Sequence, residues 1–178
     1  MQINERNELN MEKKLLIVGA GGFAPEAEEI ARLNGYTRIA FLDDHPQQAR
    51  CAPVIGCMED IPRLSQEYEE AIVALGNNQS RLALHKCLVD CGYRTPILIH
   101  PMAYVSPDSQ VAPGCIIRAQ AVVSRYAKLG QAVILNVGAL VDHHCEIGEG
   151  SHILMGAVVR NEIRLPALTW LSSNHVAE

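Results

Sequence analysis

From Val105 to Leu171 an aliphatic residue falls on every sixth position: Val105, Val111, Ile117, Val123, Leu129, Leu135, Val141, Ile147, Ile153, Val159, Leu165 and Leu171. Four residues after each lead the side chain is usually small, as at Ser109, Cys115, Ala121, Ala127, Ala139, Cys145, Ser151 and Ala157. Ile163, Thr169 and His175 loosen that rule. A period of six matches neither a helix turn nor the alternation of an ordinary strand, so each hexapeptide is a structural unit of its own. Three units, each turning one lead inward, close a triangular coil, and coils stacked at roughly 4.8 Å make a parallel β-helix. The frame predicts four coils from Val105 to Val176. Each buried lead contributes roughly 1.5–3 kcal/mol, so the repeat is a folding device before it is anything else.

The first hundred residues follow another pattern. Leu15-Leu16-Ile17-Val18 is a short apolar run entering Gly19-Ala20-Gly21-Gly22-Phe23-Ala24, and Pro25 to Ala31 then reads as a helix with Pro near its first turn. Further strands are expected at Arg38–Leu42, ending on Asp43-Asp44, and at Ala71–Leu75, ending on Gly76-Asn77-Asn78. A helix from about Ser80 to Cys91 and a last strand, Ile97-Leu98-Ile99, complete a small α/β domain with a parallel sheet. Its ligand belongs at the C-terminal ends of the strands. The expected division is a disordered tail over 1–12, a nucleotide-sugar-binding α/β domain over 13–100 and a β-helix over 101–178.

The glycine turn resembles the G-x-G-x-x-G/A dinucleotide fingerprint, with Ala24 as the third small residue and Asp43 closing the second strand. Glycine lets a ligand approach the backbone, and the helix start offers free N–H groups to a diphosphate. A hundred residues are few for a full nicotinamide-binding fold, so a nucleotide-sugar diphosphate is the better expectation, beside a plain tight turn.

Composition narrows the classes. The chain has 178 residues, 48% of them hydrophobic and 20% charged, which suits a globular protein. A net charge of -5 and 4% aromatic residues argue against nucleic acid as a partner. Met1 to Lys14 carry no apolar stretch of signal or anchor type, so no membrane association and a cytoplasmic location are expected. The six cysteines form no CxxC pair and read as reduced thiols, with Cys115 and Cys145 on small inward positions.

The densest polar cluster lies inside the repeat, at Asn136, Asp142-His143-His144 and His152. Neither His143 nor His144 occupies a lead position, and an imidazole, with a reference pKa of about 6.5, can act as a general base near neutrality. Solvated histidines on a flat face are the plain alternative. Residues eighteen apart stack, which gives His143 the neighbours Arg125 and Asn161 and His152 the neighbours Ile134 and Trp170. No three histidines converge, so no metal is expected and a metal hydratase is disfavoured.

Five motifs in order resemble the bacterial nucleotide-sugar and sialic-acid acetyltransferase family: Gly19-Ala20-Gly21-Gly22-Phe23, Phe41-Leu42-Asp43-Asp44, Leu75-Gly76-Asn77-Asn78 with Arg81, Leu98-Ile99-His100-Pro101 and Val141-Asp142-His143-His144-Cys145. The nearest branch forms UDP-N-acetylbacillosamine. The resemblance implies a Rossmann-like α/β domain followed by a left-handed β-helix, in a homotrimer with active sites between neighbouring β-helices. It implies His143 as the base that takes a proton as a sugar amine attacks the thioester of acetyl-CoA. His144 and Asn136 complete the catalytic set, with Asn136 beside the sugar or the base. By the same resemblance, the nucleotide of a UDP-amino sugar is expected across Gly21, Gly22, Phe23, Asp43, Asp44, Gly76 and Asn77, and acetyl-CoA against His152, Gly156, Ala157 and Asn161.

The chain departs from the family at several points. His144 stands where an acidic residue usually follows the base, Phe23 where the bacillosamine branch often has histidine, and Asn161 where glycine is common. Relatives are expected to continue for about two further coils, so the chain reads as truncated. It is then expected to bind acetyl-CoA weakly and to expose Leu165, Leu168, Trp170 and Leu171. Sialic-acid O-acetylation and a catalytically impaired nucleotide-sugar-binding protein are the alternatives, and a nicotinamide enzyme is a more distant one.

Overall fold

A computed structural model describes residues 12–178. The tail assigned to 1–12 therefore lies, except for Glu12, outside the described residues. The N-terminal part contains β1 (Lys14–Val18), α1 (Ala24–Leu33), β2 (Arg38–Leu42), β3 (Val54–Gly56), the single turn α2 (Ile61–Leu64), β4 (Ala71–Val73) and α3 (Asn78–Asp90). The four strands form a parallel sheet in the order β3-β2-β1-β4. Leu15 and Ile17 point to the side covered by α1, packing with Ile30 and Phe41, while Leu16 and Val18 pack with Leu64 and Leu88 on the other side. Burial on both faces explains why the strands are apolar runs rather than alternating ones. No helix among the described residues is long and apolar enough to cross a membrane.

The last strand expected in this sheet is not there. Leu98–Ile99 (β5) pairs instead with Ile116–Ile117 (β8) and is the first rung of the β-helix. Ile99 thus takes the inward lead position six residues before Val105, and Ala177 takes it six after Leu171. The repeat is correspondingly longer than the four predicted coils, with fourteen two-residue strands from β5 to β18 (Val176–Ala177). They form three parallel sheets and hence three faces of a left-handed β-helix. Face one carries β5, β8, β11 (Ile134–Leu135), β14 (His152–Ile153) and β17 (Trp170–Leu171). Face two carries β6 (Tyr104–Val105), β9 (Val122–Val123), β12 (Leu140–Val141), β15 (Val158–Val159) and β18. Face three carries β7 (Gln110–Val111), β10 (Lys128–Leu129), β13 (Glu146–Ile147) and β16 (Arg164–Leu165).

Between strands the chain turns a corner through a residue of positive φ, at every sixth position from Gly114 to Asn174. Seven of these corners are not glycine, among them Tyr126, His144 and Glu162. The second strand residue points into the core, where Val123, Leu135, Val141, Ile153 and Val159 are fully buried. The first points outward, and its chemistry differs by face. Face one presents Leu98, Ile116, Ile134, His152 and Trp170; the α/β domain covers all but Trp170, which is 54% exposed. Face two presents an apolar row, Tyr104, Val122, Leu140, Val158 and Val176, with no helix or strand among the described residues packed over it. Face three presents Gln110, Lys128, Glu146 and Arg164, three of them linked in an ion-pair ladder.

Arg81 of α3 ties the two parts together. Its side chain is fully buried, with Nε donating to the Ala132 carbonyl at 2.9 Å and Nη2 to that of Gly150 at 2.6 Å. Nη1 holds the carbonyls of Leu75 and Gly76 at 2.9 and 3.2 Å, so the loop after β4 is fixed to the β-helix. Asn78 adds bonds from Nδ2 to the carbonyls of Leu168 and Thr169, both 3.0 Å. Leu168 and Leu171 are therefore not an exposed end: Leu171 is 8% exposed, and Leu168 is half-buried, its side chain and that of Leu82 both close to Gly150.

Candidate active site

The glycine turn opens directly into α1. Gly19 has φ 101°, a conformation other side chains rarely adopt, and a Cβ there would also crowd the Ala74 carbonyl oxygen at 3.1 Å, so the turn favours glycine at this position. Gly21, Gly22 and Gly76 have open space where a Cβ would stand, leaving the backbone of both loops accessible. Asp43 spans the two strand ends: Oδ2 accepts from the Ala20 N–H at 2.7 Å and Oδ1 from that of His45 at 2.8 Å. Asp44 accepts from the Met58 N–H at 2.9 Å, and Asn77 caps α3 by accepting from Ser80 N–H at 2.9 Å. Asp43, Asp44 and Asn77 thus shape the loop rims, while the three open glycines and Phe23 line the mouth.

Below this mouth lies a buried polar cluster on face one. His152 is 4% exposed, packed edge-on against Trp170 at 4.9 Å and Phe23 at 6.2 Å. Its Nε2 lies 3.5 Å from Nδ2 of Asn136, and its buried Nδ1 has no hydrogen-bond partner among the described residues. Burial, reinforced by the positive charges of Arg81 and Arg118, pushes the imidazole down to about 4, so it is neutral at pH 7. Arg118 donates from Nη1 to Asn136 Oδ1 at 2.7 Å and approaches Glu26 of α1 at 3.7 Å. Arg118 escaped the motif reading, although it lies eighteen residues before Asn136 in the same register. The burial of His152 was equally hidden, because only a second domain covers its outward position.

The other candidates stand elsewhere, on the corner between faces two and three. His143 and His144 are exposed, with their Nδ1 atoms 3.0 Å apart. Asp142 Oδ1 accepts from the His143 backbone N–H at 2.7 Å. The ring of His144 lies 4.9 Å from that of Tyr126 one coil below. One coil above, His143 O accepts from the Glu162 N–H at 3.1 Å, with Asn161 next to it on that corner. An open groove of about 580 Å³ beside the pair is bounded by Tyr126, Lys128, His144, Glu146, Glu162 and Arg164. Gly156 is at the opposite corner, near Asn174 of the next coil, and Ala157 is buried in the core. Within one chain, then, Phe23, Asn136 and His152 gather at one edge of face two, and His143, His144 and Asn161 at the other.

The six cysteines are free thiols; Cys115 and Cys145 are buried and the other four half-buried. Burial pushes the Cys115 thiol up to about 12, which removes it as a nucleophile. Among the described residues no group of three or more histidine, cysteine or acidic side chains is arranged to hold a metal.

Residues 14–88 match the family described as the PglD N-terminal domain. The whole fold is similar to the acetyltransferase domain of PglB from Neisseria gonorrhoeae, with 33% identity over 93% of this chain and 91% of that one and a TM-score of 0.82. The chain belongs to this hexapeptide-repeat acetyltransferase family. It is an acetyltransferase by that membership. The same domain bound to acetyl coenzyme A matches with a TM-score of 0.75 over 88% of this chain and 86% of that one, again at 33% identity. PerB from Caulobacter crescentus, solved with CoA and GDP-perosamine, is 27% identical over 93% of this chain and 88% of that one, with a TM-score of 0.83.

Proposed function

We propose that this acetyltransferase moves the acetyl group of acetyl-CoA onto the amine of a UDP-linked amino sugar, of the UDP-4-amino-4,6-dideoxy-GlcNAc type, in bacterial surface glycan or glycoprotein synthesis. The observation that carries the reading is the occurrence, in one chain of this family, of an open glycine turn at a helix start and an exposed imidazole pair on a β-helix corner. The N–H groups at the start of α1 meet the diphosphate, with Gly21, Gly22, Phe23 and Gly76 around the nucleotide and Asp43 and Asp44 shaping its rim.

His143 accepts the amine proton through Nε2 as the nitrogen attacks the thioester carbonyl. The tetrahedral adduct then collapses, the C–S bond breaks, and the proton passes to the departing CoA sulfur. The amide and the thiol are the products, with no acyl-enzyme between them. Asn136 lies beside the sugar or the base, and acetyl-CoA meets the neighbouring His152, Gly156 and the backbone of Ala157 from one chain and Asn161 from the other edge of face two. Two edges of face two separated within one chain are brought together when the apolar row of one copy packs on another, which supports a homotrimer with sites between chains.

Thiol release with acetyl-CoA and a UDP-4-amino sugar tests the reading, with a GDP-4-amino sugar and a sialic acid as competing acceptors. Turnover with the UDP-amino sugar is expected, and His143→Ala should lower it by roughly 10²-fold or more while nucleotide binding persists. Turnover of the sialic acid alone would make the protein an O-acetyltransferase, and binding without turnover of any acceptor would make it a nucleotide-sugar-binding protein.

A further inference from the structure

The residue after the proposed base faces it. Two imidazoles whose Nδ1 atoms are 3.0 Å apart cannot choose their tautomers independently, because one Nδ1 must donate and the other accept. The ring planes are 89° apart with centroids at 5.2 Å, an arrangement for an in-plane hydrogen bond on one side rather than stacking. Although exposed, His144 is not free to drift. Its backbone has φ 59°, the corner conformation that recurs through the coil, and its ring leans on Tyr126. Tyr126 is held in turn: Arg125 Nη2 donates to its hydroxyl at 3.2 Å, and Arg125 Nε donates to Asp108 at 2.8 Å.

The charged groups around the pair are occupied with one another. Asp142 accepts a backbone N–H, and Arg160 of the coil above reaches Glu178 at 3.5 Å. Across the groove, Glu146 bridges Lys128 and Arg164 at 3.6 and 3.4 Å. Glu162, which continues the corner above His144, makes no side-chain hydrogen bond to either ring among the described residues. Among the described residues, the only side-chain partner of the His143 ring is therefore the ring of His144.

We propose that His144 is the positioning residue for His143: as the Nε2–H tautomer it accepts the Nδ1–H of His143, leaving the Nε2 lone pair of His143 for the attacking amine. This rests on His143 being the base of the proposed acetyl transfer. During transfer the amine proton adds to Nε2 of His143, whose Nδ1–H stays on His144, and the same proton later leaves with the CoA sulfur. A solvent proton taken up by the resting pair occupies that same Nε2 lone pair of His143, and none remains for the amine. One protonation of the pair switches the base off. Because the partner is neutral, the imidazolium formed on His143 gains orientation from it and no charge stabilisation.

The test is a set of His144 variants assayed over pH with both substrates. His144→Phe keeps a ring against Tyr126 and lacks the acceptor; kcat should fall roughly 10- to 100-fold with KM for both substrates unchanged. His144→Asn, which tolerates the corner conformation and supplies an acceptor, should restore most of that loss. His144→Glu should carry the acid limb of kcat/KM to higher pH by roughly one unit or more, since a carboxylate favours the charged imidazole. In the wild type, ¹⁵N shifts should show a protonated Nδ1 on His143 and an unprotonated one on His144. An active wild type with an unchanged His144→Phe variant, or equal losses in the Phe and Asn variants, overturns the pair's role alone. A wild type without turnover overturns the acetyl transfer, and the pair's role with it.

Discussion

Arg81 and His152 sit at the same seam and respond to different perturbations. Arg81 is buried without a carboxylate, and its donors hold backbone carbonyls of both parts of the molecule, so removing it leaves several buried acceptors unsatisfied. Each such group costs about 1–3 kcal/mol, so Arg81→Ala should lower the urea midpoint by the equivalent of roughly 3 kcal/mol or more. Lysine at this site recovers only part of that loss, because it lacks the planar fork. His152 instead responds to pH. Its folded value of about 4 lies below the unfolded 6.5, so between these pH values the unfolded chain binds a proton that the folded chain does not. Its contribution is complete above pH 6.5 and is lost as pH falls to about 4, with a ceiling of roughly 3 kcal/mol. His152→Gln should flatten the fall of stability over that window relative to wild type, as read by urea titrations at several pH values. The imidazole was recognisable in the sequence as chemistry. Its environment was not, because Phe23, some 130 residues away in the chain, supplies it.

A β-helix rung is short enough that its identity depends on what lies eighteen residues away. Leu98–Ile99 has the composition of an α/β strand and the spacing of a rung, and only the pairing with Ile116–Ile117 decides between them. The lead positions were legible because a missing aliphatic would leave a hole in a one-residue-wide core. The corners were less so, since residues as unlike as Gln120, Tyr126, Ala132 and His144 all adopt the left-handed conformation there. Glycine in this repeat consequently has two separate uses. At Gly138, φ is 67° and the nearest atoms to an added Cβ are 3.9 Å away, so Gly138→Ala should cost only about 1–2 kcal/mol of backbone strain. At Gly130 an added Cβ would meet the Glu149 backbone nitrogen at 2.6 Å, and backbone cannot move aside. Gly130→Ala should therefore destabilise more than Gly138→Ala, a ranking that thermal unfolding of the two variants measures directly.

For the molecule as a whole, the three faces assign three neighbours. Face one is used by the α/β domain, and the ladder of Lys128, Glu146 and Arg164 makes face three compatible with water. Face two leaves Tyr104 at 58% and Val176 at 44% exposure at the ends of an apolar row, with Val122, Leu140 and Val158 half-buried between them. A continuous apolar stripe of this kind on a rigid sheet is the surface expected to meet another copy. Its two edges are also where the candidate site divides, with Asn136 and His152 on one side and His143 and Asn161 on the other. A charge in the middle of the stripe should then separate assembly from folding. Leu140→Glu projects outward and removes no lead, so the coil should remain folded with thermal stability of the isolated chain little changed. Light scattering should show the proposed trimer giving way to a monomer, because a buried unpaired carboxylate costs several kcal/mol at each contact. Nucleotide binding at the glycine turn should survive, since Gly21, Gly22 and Gly76 all belong to one chain, while acetyl transfer should fall with the loss of the shared site. A monomeric Leu140→Glu protein that retained full turnover would show that one chain assembles the site alone.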